Sequence, residues 1–155
     1  MPAERFRFAA AVYGVLVDNN RVLLLRRANS GYHDGELSLP AGHLDGGEDA
    51  LGGLLRELRE ELMISAERDS CRLAVVLHRA PETAGDHEYL DLVFTVGRWA
   101  GTPSIGEPDK CSELVWASLG HLPADLVDYV EAALQALRTG DPLVLYGWGQ
   151  LDGGR

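Results

Sequence analysis

Residues 42–64 read "GHLDGGEDALGGLLRELREELMI", and the second half of this stretch decides the fold. Leu51, Leu54, Leu55, Leu58 and Leu62 recur at helical spacing and form one apolar stripe, which predicts a helix from about Asp49 to Leu62. Glu57, Glu60 and Glu61 stand roughly a third of a turn from that stripe. Like charges three and four residues apart repel. Such a cluster is either a solvated face or a place for a cation. A rigid helix offering three carboxylates on one side, anchored by leucines on the other, suits the second use.

Working outward, "FAAAVYGVLV" (8–17) and "RVLLLRR" (21–27) flank the turn signal "DNN" and predict a hairpin of two strands. The first run follows Arg5 and Arg7, but it is short and valine-rich, which favours a strand over a signal peptide. A loop rich in turn residues, "ANSGYHDGELSLPAGHLDGGE" (28–48), leads into the helix. Beyond it, "RLAVVLHRA" (72–80) and "YLDLVFTVGRW" (89–99) predict two strands joined by the polar loop "PETAGDHE" (81–88). A short strand around "ELVWASL" (113–119) precedes a second helix from about Ala124 to Leu137, which "TGDP" stops. The order predicts an α/β (α+β) sandwich, with a central mixed sheet covered by two main helices, and one domain over 1–155.

Composition narrows the function. A formal charge of −10 leaves no broad basic surface for a nucleic-acid polymer, and no run is long enough to span a membrane. Any phosphorylated small molecule would need local neutralisation by cations or placed arginines. Thirteen of the fourteen basic residues are arginine, with Lys110 the exception, a bias that points to a GC-rich, bacterial genome. Cys71 and Cys111 are isolated, without zinc spacing, so reduced thiols and a cytoplasmic location are expected.

From Gly42 onward the chain resembles the Nudix hydrolases. Gly42, Glu48, Arg56, Glu57, Leu58, Glu60, Glu61 and Ile64 all fall in the register of that family's signature, and Met63 stands where the family has its last glycine. The resemblance implies a Nudix-type α/β/α sandwich and hydrolysis of phosphoanhydride bonds in a nucleotide. It implies Mg²⁺, or Mn²⁺ in its place, held by Glu57, Glu60 and Glu61, with the Ala41 carbonyl as an extra ligand and a carboxylate as general base. Arg56 and Glu48 would support the loop–helix geometry. A methionine does not readily take the left-handed turn that the glycine provides, so a changed helix exit is expected at Met63.

"LPAGHLDGGE" (39–48) with "GEPDKCSELVWASLGHLP" (106–123) is further similar to the MutT-like branch, which cuts nucleoside triphosphates to the monophosphate and pyrophosphate. ADP-ribose-like sugar nucleotides, dinucleoside polyphosphates and a catalytically silent sensor are the alternatives. Glu107 is the candidate further carboxylate at the metals. Trp116 and Tyr13 are candidate walls of a base pocket, and Gly42 and His43 border the substrate. Arg26 or Arg27 would reach a phosphate, and His87 is either a residue that closes over the substrate or an exposed polar loop residue. Tyr146 and Trp148 in "LYGWG" are expected to cover an apolar patch. A homodimer is the commonest assembly for such a chain.

Overall fold

The computed structural model describes residues 3–149; the expected unit of 1–155 runs beyond these at both ends. Strand β1 (Ala9–Asp18) turns at Asn19 and Asn20, both left-handed, into β2 (Arg21–Arg27). Short strands β3 (Leu37–Ser38) and β4 (Ala41–His43) precede helix α1 (Ala50–Leu62). A two-residue strand β5 (Ser65–Ala66) and a 3₁₀ turn (Arg68–Ser70) lead to β6 (Cys71–Arg79) and β7 (Tyr89–Val96). Strand β8 (Trp99–Ala100) closes a small ribbon with β5. Strand β9 (Cys111–Ser118), helix α2 (Asp128–Thr139) and β10 (Leu143–Tyr146) complete the order.

Strand β1 holds the sheet together. From Ala9 to Leu16 it lies parallel to β7, Ala11 to Tyr13 also pair antiparallel with β4, and its last residues meet β2. Strand β6 continues outward from β7, with β10 parallel to it at the edge, while β9 and β3 flank β2. The sheet is mixed and has a helix on each face. Alternation along β1 produces the two layers, because successive strand side chains point to opposite faces. Ala11, Tyr13 and Val15 join Val130, Ala133 and Leu134 of α2. Val12 and Leu16 join Leu54, Leu58 and Leu62 of α1. Gly14 lets α1 press close: a β-carbon there would meet Leu58 at 3.2 Å.

Both hairpin strands and α1 lie where the sequence places them, with Asp49 capping α1 by accepting from the Gly52 N–H at 2.7 Å. Helix α2 begins later than expected. Residues 125–127 pair instead with Leu37, whose N–H donates to Asp125 and whose carbonyl accepts from Val127, both at 2.9 Å. That pairing holds Val127 extended at ψ 130°. Strand β10, β4 and the β5–β8 ribbon were not anticipated; each is short and defined by its partner rather than by its own pattern.

Met63 corrects an expectation. It adopts φ 58° and ψ 34°, and its N–H donates to the Arg59 carbonyl at 3.0 Å. The helix therefore ends in the left-handed turn a glycine would make, with methionine carrying the strain. Its side chain is exposed. Cys71 and Cys111 are free and buried. Among the described residues, no helix is long and apolar enough to cross a membrane.

Candidate active site

A cleft of about 720 Å³ opens between α1, β4, the start of β9 and the loops 28–36 and 81–88. Glu57, Glu60, Glu61 and Glu107 line one part of it. Two close approaches position them. A β-carbon at Gly42 would sit 2.0 Å from the Glu57 carboxyl carbon, so glycine here lets Glu57 keep its place against β4. The Ala41 N–H donates to Glu61 Oε2 at 3.2 Å. Because a strand residue's N–H and C=O point the same way, the Ala41 carbonyl also faces the acids.

Arg56 organises the other side. It grips Glu48 with two bonds of 2.7 and 3.1 Å, donates to Glu57 at 2.8 Å and reaches Glu60 at 3.5 Å. A weaker bond of 3.4 Å runs to the His43 carbonyl. The signature loop is thus tied to α1 through Glu48 and Arg56, as the family resemblance implies. Glu107 arrives from a loop docked on the end of α1: the Ser104 and Gly106 N–H groups donate to the carbonyls of Leu62 and Glu61 at 3.0 and 2.9 Å. These bonds satisfy helix-end carbonyls that would otherwise lack partners.

The electrostatics are those of crowded acid. Loss of water pushes the Glu61 carboxyl well above the usual range. The Glu57 and Glu107 charges add to this, and the Ala41 N–H opposes it. Glu57 is also raised by burial, against the pull of Arg56. Among the described residues no three His, Cys, Asp or Glu side chains converge, as they stand, into a metal coordination set, because Arg56 draws Glu57 and Glu60 toward itself. The donors nevertheless fit a hard divalent cation. They are all oxygens, they share one wall, and Arg56 alone supplies positive charge beside Glu57 while the enclosed Glu61 carboxyl has only the Ala41 N–H.

Tyr13 lies on the cleft floor and His43 on its wall, stacked on Tyr89 at 5.9 Å. Three expected residues do not reach the cleft. Arg26 turns away to Asp125 at 2.7 Å, Glu113 at 3.4 Å and the Gly35 carbonyl at 2.8 Å. A register shift between Arg26 and Arg27 re-aims the chain, so Arg27 lines the cleft instead. Trp116 lies opposite Leu23 and packs on the α1 side. It is five residues along β9 from Cys111, about 17 Å from the end that borders the cleft. His87 is not among the lining residues and sits edge-on to Tyr89. Tyr146 packs under α2, and the Trp148 indole donates to the His78 carbonyl at 3.0 Å, away from the cleft.

The sequence reading missed a second polar cluster in the cleft: Arg79, Tyr32, Tyr89 and Tyr129 all line it, with Asp91 beneath Arg79. An arginine and an aspartate at buried positions of two adjacent apolar strands were the available signal, since such residues are rarely buried unpaired.

The family profile described as "NUDIX domain" matches residues 5–138. An 8-oxo-dGTP diphosphatase of Escherichia coli (strain K12) is 31% identical over 111 residues, 70% of this chain and 78% of that relative. A crystal structure of a MutT NUDIX hydrolase from Burkholderia pseudomallei superposes with a TM-score of 0.75 at 28% identity, covering 82% of this chain and 95% of that one. A MutT protein from Methanosarcina mazei, 22% identical with a TM-score of 0.71, covers 88% and 97% and shares the fold.

Proposed function

The chain belongs to the Nudix family of pyrophosphohydrolases, and from that premise we propose that it cleaves a nucleoside triphosphate to the monophosphate and pyrophosphate. The observation that carries the reading is the wall of Glu57, Glu60, Glu61 and Glu107 beside the Ala41–Gly42 backbone, in a cleft large enough for a nucleotide. The E. coli relative, an 8-oxo-dGTP diphosphatase, supports the choice of a triphosphate.

Glu57, Glu60, Glu61, Glu107 and the Ala41 carbonyl would hold Mg²⁺ (or Mn²⁺), which when bound draws in phosphate oxygens and makes a water acidic enough to attack. Arg56 keeps Glu57 facing β4, and a carboxylate of this set accepts the proton of the attacking water. Arg27 and Lys110, both on the cleft lining, supply positive charge for the phosphate tail. Retention of all three helix glutamates argues against a silent sensor. Two free, buried cysteines support a cytoplasmic location.

The test is a panel of dNTPs, NTPs, ADP-ribose and dinucleoside polyphosphates with and without Mg²⁺, with the products identified. Pyrophosphate from a triphosphate, dependent on Mg²⁺, is the expected result; sugar phosphate from ADP-ribose as the main product would replace the reading. Glu57→Gln and Glu61→Gln should each lower kcat by about 10²-fold or more. Activity undiminished in Glu60→Gln and Glu61→Gln would sink the assignment of the acids.

A further inference from the structure

Strand β10 ends the sheet on one side, and among the described residues no strand pairs with its outer edge. Its inner edge is occupied. The Pro142 and Tyr146 carbonyls accept from the N–H groups of Val76 and Ala80, each at 2.9 Å. Backbone groups alternate in direction along a strand, so the N–H and C=O of Leu143 and Leu145 face outward. Two donors and two acceptors stand along this edge.

The side chains divide in the same way. Val144 and Tyr146 pack on the α2 layer. Leu143 and Leu145 lie on the opposite face, beside Val76 and His78, and are 49% and 64% exposed. Helix α1 covers that face at β1 and β4, away from the outer strands. Phe8 meets His78 edge-on at 5.3 Å, Phe6 meets Phe8 at 5.2 Å, and both rings are exposed. An apolar patch joined to an open strand edge is an interaction surface rather than scattered exposure.

A second copy of this chain fits the edge. Opposed residues of an antiparallel pair can exchange both backbone bonds. A two-fold axis at Val144 sets Leu143 of each copy against Leu145 of the other, so all four outward groups of each strand find partners. It also lays four exposed leucines side by side on one face. An axis at Leu143 would instead oppose Leu145 to Asp141, whose N–H already donates to the Ala136 carbonyl at 2.9 Å.

Charge and space agree. A chain of net charge −10 repels its own copy, but residues 142–149 carry no charged side chain. With the axis at Val144 the two Asp141 residues stand about 20 Å apart, beyond the Debye length of about 8 Å. Helix α2 packs on β6 and β10. The two copies of β6 would lie three strand spacings apart, about 14 Å, which clears the roughly 8–10 Å that neighbouring helices need.

We infer that the outer edge of β10 is the seam of a homodimer, in which two sheets become one across a two-fold axis at Val144. The seam is four strand spacings from β4, about 19 Å, and does not depend on the chemistry at the acids.

Sedimentation velocity of the full chain at about 100 μM, where even a micromolar interface is filled, should show a dimer. Leu145→Lys puts at the seam the residue that natively blocks strand edges. It should raise the dissociation constant about 10²-fold and leave the near-ultraviolet circular dichroism spectrum unchanged, because Leu145 is mostly exposed. Val144→Cys tests the register. The axis brings the two Val144 Cα atoms to about 4.5 Å, within disulfide range, so mild oxidation should link two copies. A monomeric wild type, whether residues 150–155 or a peptide of another protein takes the edge, would overturn the inference. So would a dimer that Leu145→Lys leaves intact, or failure of Val144→Cys to cross-link.

Discussion

Gly106 packs so closely on Glu60 that a β-carbon at Gly106 would lie 2.0 Å from the Glu60 carbonyl oxygen, while its N–H donates to Glu61 at 2.9 Å. The contact docks the loop carrying Glu107 on the end of α1. The obstacle is helix backbone, which cannot move aside as a side chain can. Gly106→Ala should therefore destabilise the fold by about 1–3 kcal/mol, read by urea unfolding. It should also lower kcat by more than lost folded protein explains, because Glu107 is pushed from the other acids.

Gly42→Ala makes a different clash, with the Glu57 carboxyl rather than with backbone. The side chain can rotate away, so stability should change little. The displaced carboxylate should cost roughly 10²-fold in kcat, the scale of an ångström misplacement at a reacting centre. Steady-state kinetics with a thermal melt separates the two effects.

Met63→Gly should stabilise the protein. The left-handed φ of 58° is strained for methionine and free for glycine, and the exposed side chain gives up little burial. A gain of about 1 kcal/mol corresponds to a rise in Tm of roughly 2–4 °C at this chain length. The kcat should be unchanged, because the candidate ligands of α1 all precede residue 63.

Acid should weaken the contacts that hold loops to the sheet. Hydrogen bonding to Arg26 lowers the Asp125 carboxyl below its ordinary 3.8. The Ser30 and Gly31 donors do the same for Asp34, and Arg68 for Asp49. A carboxyl depressed in the folded state contributes stability above its unfolded pKa, and that contribution is lost as pH falls through the folded value. The loss should thus develop below about pH 4. Asp125→Asn should flatten that limb of the stability profile, measured by urea midpoints across it, by lowering stability slightly at neutral pH and leaving the acid end unchanged.

Much of the site could be read in the chain because it depends on local periodicity. Glu57 and Glu61 share a face four residues apart, Leu54, Leu58 and Leu62 share the other, and no tertiary contact is needed to see it. The Glu48–Arg56 pairing came instead from the family resemblance. Trp116 and Arg26 failed for the complementary reason. Residue type suggested a base wall and a phosphate contact, but which end of β9 borders the cleft, and where β2 shifts register, depend on pairing with distant strands.

The sequence by itself determined the two helices, the main strands and the acidic face, because helical and strand periods are written in neighbouring residues. Tertiary structure alone decided that Met63 closes α1 as a glycine would, that Glu107 joins the acids, and that Arg79 meets Asp91 between two tyrosines. The first is a backbone conformation that the methionine side chain does not dictate; the other two join segments far apart in the chain, at distances set by sheet register and loop docking that no local pattern records.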